Sequence, residues 1–92
     1  MDKHKLAIKW FDKGCYLDRH EPESDKAIEA YKKCIKYENS FVSAYINLGF
    51  IYIARDEYAR AVKYFQWVLE LEPNNAEALN NLGYAYEKMD RF

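Results

Sequence analysis

Three glycines occur in the 92-residue chain, Gly14, Gly49 and Gly83, and they stand 35 and 34 residues apart. A fixed period of roughly 20 to 50 residues marks repeat architectures, in which each unit is a supersecondary element that buries its apolar face only by stacking on a neighbour. The same interval recurs around the glycines. Ala27 and Ala61, Tyr31 and Phe65, Tyr37 and Leu71, Ala44 and Ala78, Asn47 and Asn81, Leu48 and Leu82, Tyr52 and Tyr86, and Tyr58 and Phe92 are each separated by 34. So many pairs in one register make the chain a repeat before any element is assigned.

Hydrophobic spacing says what the repeated unit is. Tyr45, Leu48, Gly49 and Tyr52 fall at i, i+3, i+4 and i+7, as do Ala61, Tyr64, Phe65 and Val68, so each segment presents an apolar stripe at helical period. Asp56 lies in the polar break between those two helices. Pro73-Asn74-Asn75 ends the second and supplies a cap for a helix opening near Ala76, with Glu77 three residues after Asn74. A lengthened turn from Arg19 to Ser24, containing Pro22, accounts for the one-residue insertion in the first period. The spacing predicts five helices at about 3–19, 24–38, 41–54, 58–71 and 75–90, and such short turns make consecutive helices antiparallel.

Composition narrows the function classes. Fourteen Lys and Arg against fifteen Asp and Glu give a formal charge of −1, which argues against a general nucleic-acid binder. The longest apolar run, Phe50 to Ala54, is too short for a membrane span or a signal core, so a cytoplasmic protein with no membrane association is expected. Cys15 and Cys34 form no C-x-x-C pair, and His4 and His20 are the only histidines, so no metal site is expected. There is no H-E-x-x-H, no G-x-S-x-G and no glycine-rich phosphate loop. No catalytic residue and no cofactor are therefore assigned, and the expectation is a non-enzyme. Glu21, Glu23 and Asp25 read as a solvated turn, and Lys32, Lys33 and Lys36 as a solvated helix face. Nine Tyr, five Phe and two Trp supply much of the core.

The central unit, Tyr45-x-x-Leu48-Gly49-x-x-Tyr52, then Ala61-x-x-x-Phe65, then Pro73, resembles the tetratricopeptide repeat (TPR) pattern, with Tyr in place of the leading Trp. The first unit carries Trp10-x-x-Lys13-Gly14-x-x-Leu17 and Ala27-x-x-x-Tyr31; the third carries Leu79-x-x-Leu82-Gly83-x-x-Tyr86 and only one helix. The resemblance implies an all-α fold of antiparallel helix-turn-helix repeats stacked as a short right-handed superhelix of about five helices. It implies one TPR domain over residues 1–92, with repeats at about 7–41 and 42–75 and a half repeat at about 76–92. It also implies a close backbone approach at Gly49 and Gly83, with Tyr31, Tyr52, Phe65 and Tyr86 packed between neighbouring helices.

Members of this family commonly receive a peptide or partner segment on the concave face, lined by the first helix of each repeat. The groove positions carried over are Ile8, Phe11, Cys15 and Asp18; Ser43, Ile46, Phe50, Ile53 and Ala54; and Glu77, Asn80, Tyr84 and Glu87. Among these, Ile8, Phe11, Cys15, Ile46, Phe50, Ile53, Asn80 and Tyr84, together with Asn47, form the candidate peptide-binding set. Ile46, Phe50 and Ile53 at i, i+4 and i+7 give helix 41–54 a second apolar stripe. Such a patch suits a hydrophobic peptide or an amphipathic helix anchored at helical spacing. A superhelix can also tuck Ile46 and Phe50 behind Phe11 and Tyr84, turning part of the stripe into ordinary core. The carboxylate clamp by which some relatives hold chaperone C-termini is not expected, because Glu77 stands where a lysine would be needed. The competing expectation is self-association, by homodimerisation or helix exchange, through Leu79, Leu82 and Tyr86 of the last helix, or a longer parent whose continuation covers that stripe.

Overall fold

A computed structural model describes residues 2–90. Five α-helices follow one another: α1 (Lys3–His20), α2 (Lys26–Tyr37), α3 (Val42–Ala54), α4 (Tyr58–Leu71) and α5 (Ala76–Met89). No strand occurs among the described residues. Each helix lies within two residues of the span that hydrophobic spacing predicts, so the 34-residue period is a helix pair with its turns. The Tyr58–Phe92 correspondence ends on a residue outside the described ones.

Local chemistry sets the helix ends. Asp2 caps α1 by accepting from the His4 amide at 2.9 Å, and Ser24 Oγ accepts from the Lys26 amide at 3.1 Å before α2. Asn75, not Asn74, caps α5, its Oδ1 accepting from the Ala78 amide at 2.9 Å. The reason is the turn before it: the Asn75 amide bonds back to the Glu72 carbonyl at 3.0 Å, which spends Asn74 inside the turn. α3 ends with Asp56 in the left-handed region at φ 59°. The Asp56 and Glu57 amides bond to the Ile53 and Tyr52 carbonyls at 3.0 and 2.8 Å, the paired bonds that close a helix C-terminus. The Tyr58 hydroxyl donates to Asp56 Oδ1 at 2.7 Å and holds this turn.

Contacts divide the chain after Ala44 into two compact units. In the first, α2 lies antiparallel on α1, as the pairing of His4 at one end of α1 with Glu38 just past α2 requires. Its interior is Ala7, Leu17, Ala27, Ile28, Ala30, Tyr31 and Cys34, all buried. Gly14 makes the helix crossing possible, because a Cβ there would meet the Tyr31 ring at 2.6 Å. Burial pushes the Cys34 thiol up to about 12, with smaller contributions from the Glu38 charge and Cys15, so it is an apolar filler and not a nucleophile.

The second unit repeats the crossing. A Cβ at Gly49 would lie 2.5 Å from the Phe65 ring of α4, and Phe65 is fully buried. Tyr52 stacks on Tyr64 with centroids 5.6 Å apart, and Tyr45 lies 6.5 Å from Tyr64 and 6.3 Å from Trp67. On its other side α4 meets α5: Tyr58, Val62 and Ala85 form a buried cluster that Ile53 and Leu82 extend. Gln66 Nε2 donates to the Tyr86 hydroxyl across the same junction at 3.1 Å.

Two expectations for α5 are corrected. Nothing among the described residues lies within 4 Å of a Cβ placed at Gly83, so the close approach seen at Gly14 and Gly49 is absent there. Tyr86 is 44% exposed, whereas Tyr31, Tyr52 and Phe65 are buried. Pattern identity gives Gly83 and Tyr86 the same role as Gly49 and Tyr52, but that role depends on a ring lying over the glycine, and among the described residues no ring lies over Gly83.

Candidate protein-interaction surfaces

On α1 the residues Ile8, Phe11, Cys15 and Asp18 share one face by their spacing. Ile8 is exposed and Phe11 and Cys15 are half-buried. Phe11 lies between rings, 5.7 Å from Tyr31 and 5.0 Å from Phe41. The Tyr31 hydroxyl donates to Cys15 Sγ at 3.5 Å. Burial raises the Asp18 carboxyl above its usual range, as expected for an acid at the edge of an apolar face.

On α3 the sequence-predicted set separates. Ile46 is buried and belongs to the interior, and Ile53 packs against the cluster of Tyr58, Val62 and Ala85. Ile46 is core and Ile53 is half-buried at the core's edge, because a helix that is apolar all round buries more than one face. Phe50 remains 38% exposed while its inner edge meets Phe65 at 5.8 Å, so a packed ring presents an apolar surface to solvent. Asn47 is half-buried beside it in sequence register.

On α5 Asn80 and Tyr84 are exposed, and Tyr84 meets Tyr58 edge-on at 6.3 Å. Lys88 Nζ lies 5.5 Å from the Tyr84 ring. Of the residues expected to drive self-association, Leu79 is 50% and Tyr86 44% exposed, whereas Leu82 is half-buried against the α4–α5 cluster. Asn81 Nδ2 donates to the Glu77 carbonyl at 2.8 Å.

Two surface features escaped sequence reasoning. Trp10 lies beneath two ammonium groups, Lys33 Nζ at 4.3 Å and Lys13 Nζ at 5.0 Å, at a cleft of about 320 Å³ between α1 and α2. Lys33 therefore covers an aromatic ring from the face expected to be purely solvated. Trp67 is 56% exposed; it stands off the Ala61–Tyr64–Phe65–Val68 stripe, and that offset was the only signal for it.

Taken together, paired antiparallel helices and a glycine-ring crossing repeated at a fixed interval define an α-helical repeat. Comparison with known proteins gives the family. A TPR repeat pattern matches residues 49–90, and a tetratricopeptide repeat pattern matches residues 23–41. The chain is a member of the tetratricopeptide repeat family. It is 27% identical over 88% of its length to the general transcriptional corepressor trfA of Dictyostelium discoideum, of which it spans 6%. It is 33% identical over 89% of its length to the protein ycf37 of Cyanophora paradoxa, of which it spans 47%. Over 72% of its length it is 32% identical to the photosystem I assembly protein Ycf3 of a Synechococcus strain, of which it spans 40%. Among the described residues, no helix is long and apolar enough to cross a membrane.

Proposed function

We propose that this chain binds a hydrophobic peptide or amphipathic helix on the apolar face presented by Phe50 of α3 and Tyr84 of α5, without catalysing a reaction. The observation that carries this is the double engagement of the two rings. Each is fixed by edge contact with a core ring, Phe65 or Tyr58, and each keeps more than a third of its surface in water. Rigid aromatic anchors of this kind lose little side-chain entropy on binding and supply large apolar area. Asn47 and Asn80 provide polar groups at positions in register with them. Corepression and photosystem I assembly, the activities in the names of two relatives, are both consistent with a part that holds other proteins.

Selection of helical peptides from a displayed library on the immobilised chain tests this reading. Peptides so obtained should lose affinity by about tenfold or more on Phe50→Glu, as loss of an aromatic hot spot does. Equal binding to both proteins would place the site elsewhere. A second reading, self-association through Leu79 and Tyr86, is favoured by the exposure of both on one helix.

A further inference from the structure

We propose that the cleft between α1 and α2 is a second binding site, one that takes the aromatic side chain of a partner peptide whose neighbouring residues are acidic. It lies within the first unit and is independent of the Phe50 face. The chain holds a filled copy of the same cleft one period later. In the second unit Tyr64 stacks on Tyr52 at 5.6 Å with an interplanar angle of 10°, Trp67 lies 6.3 Å from Tyr45, and the Arg60 guanidinium lies 5.8 Å from the Tyr52 ring. The first unit has Leu17 for Tyr52, Trp10 for Tyr45, Ala30 for Tyr64, Lys33 for Trp67 and Lys26 for Arg60. On α2 a methyl group and a flexible chain thus replace two rings, and a cleft of about 320 Å³ stands in their place. Position along the chain does not explain the opening. Lys63 and Trp67 are exposed although a whole unit precedes them in sequence, so what closes the second cleft is the Tyr64 ring of its own unit.

The lining sets the chemistry of the ligand. Leu17 and Ala30 are buried and Trp10 is half-buried, so the floor is apolar. Around it stand Lys13, Lys26 and Lys33 against a single carboxylate, Glu29. Lys26 is paired with Glu21 at 3.2 Å. Among the described residues no carboxylate pairs with Lys13 or Lys33, whose ammonium groups are held at the cleft by the Trp10 ring, at 5.0 and 4.3 Å from its centroid. A ring entering beside Leu17 and Ala30 recovers the apolar burial that the second unit obtains from Tyr64. Acidic residues next to that ring supply the charge partners that Lys13 and Lys33 lack, and a basic peptide would be repelled.

An end-capped Glu-Glu-Phe-Glu-Glu peptide is the probe, and Trp10 is the reporter. In the Trp67→Phe protein Trp10 is the only tryptophan, so its emission reads the cleft directly. Titration at low salt should give a saturable change. The Glu-Glu-Ala-Glu-Glu and Gln-Gln-Phe-Gln-Gln peptides should each bind about tenfold or more weakly, one lacking the ring and the other the charge. Ala30→Tyr supplies the ring from within the chain and should abolish the saturable change while preserving or raising the melting temperature. Lys13→Gln combined with Lys33→Gln leaves the interior untouched and should weaken binding by about tenfold or more. Phe50→Glu should not change it, which separates this site from the Phe50 face. No saturable change, equal affinity for the alanine peptide, or binding that survives both Ala30→Tyr and the double glutamine variant overturns the proposal. Loss of binding on Phe50→Glu does so as well.

Discussion

Alanine substitution at the equivalent glycines isolates what the helix crossings cost and where they occur. In a helix, Gly→Ala alone stabilises by roughly 0.5–1 kcal/mol, because alanine loses less backbone entropy on folding. At Gly83 that gain should appear undiminished, since a Cβ there meets nothing within 4 Å. At Gly49 the new Cβ would lie 2.5, 2.8 and 2.9 Å from three atoms of the Phe65 ring, which is fully buried and has nowhere to retreat. Overpacking of this kind costs about 1–3 kcal/mol. Because the propensity gain is common to both sites, it cancels in the comparison, and the difference between the two variants is the overpacking cost itself. For a domain of this size, 1 kcal/mol moves the melting temperature by about 4–8 °C. Gly83→Ala should therefore melt a few degrees above the parent, and Gly49→Ala at least about 4 °C below Gly83→Ala, followed by circular dichroism at 222 nm. Gly14→Ala, with Tyr31 at 2.6 Å, should behave like Gly49→Ala. Indistinguishable shifts at Gly49 and Gly83 would refute the reasoning, because they would mean that α5 carries a covered glycine or that α3 does not.

Asn75→Ala should cost about 0.5–2 kcal/mol in urea unfolding through loss of the Ala78 cap bond, and Asn74→Ala should cost less; the reverse order would contradict the cap assignment. His4 should titrate above its ordinary 6.5, raised by its hydrogen bond to Glu38 and then by the Glu38 charge. A group whose folded value is raised contributes stability that is complete below 6.5 and is lost as pH rises through the folded value. Glu38→Gln should return the His4 ring resonances in an NMR titration toward 6.5, and an unchanged titration would remove the pair.

The helices and the crossing at Gly49 were legible in the sequence because both are local to the repeat. Apolar spacing fixes each helix face, and the repeat pattern the chain resembles places a glycine where the paired helix crosses. What lay beyond reach depended on what stands next to an element. Ile46 and Phe50 belong to the same stripe of a helix apolar all round, and periodicity has no means of telling the buried one from the exposed one. Gly83 and Tyr86 carry the same letters as Gly49 and Tyr52, yet their surroundings differ because the pattern presupposes a neighbouring helix. The pairing of Trp10 with Lys33 requires the crossing geometry of α1 and α2, which no spacing rule supplies. Asp56 adopts a left-handed conformation usually left to glycine or asparagine, and the Tyr58 hydroxyl that holds it is visible only in three dimensions.

The most direct test of the chain as an interaction scaffold is an amide chemical-shift map of the nitrogen-15-labelled protein titrated with a peptide selected on it. The account predicts that the largest perturbations fall at Asn47, Phe50, Asn80 and Tyr84 and saturate together with one affinity. Perturbations centred instead on Trp10 and Lys33, or on Trp67, with Phe50 and Tyr84 unmoved, would contradict it.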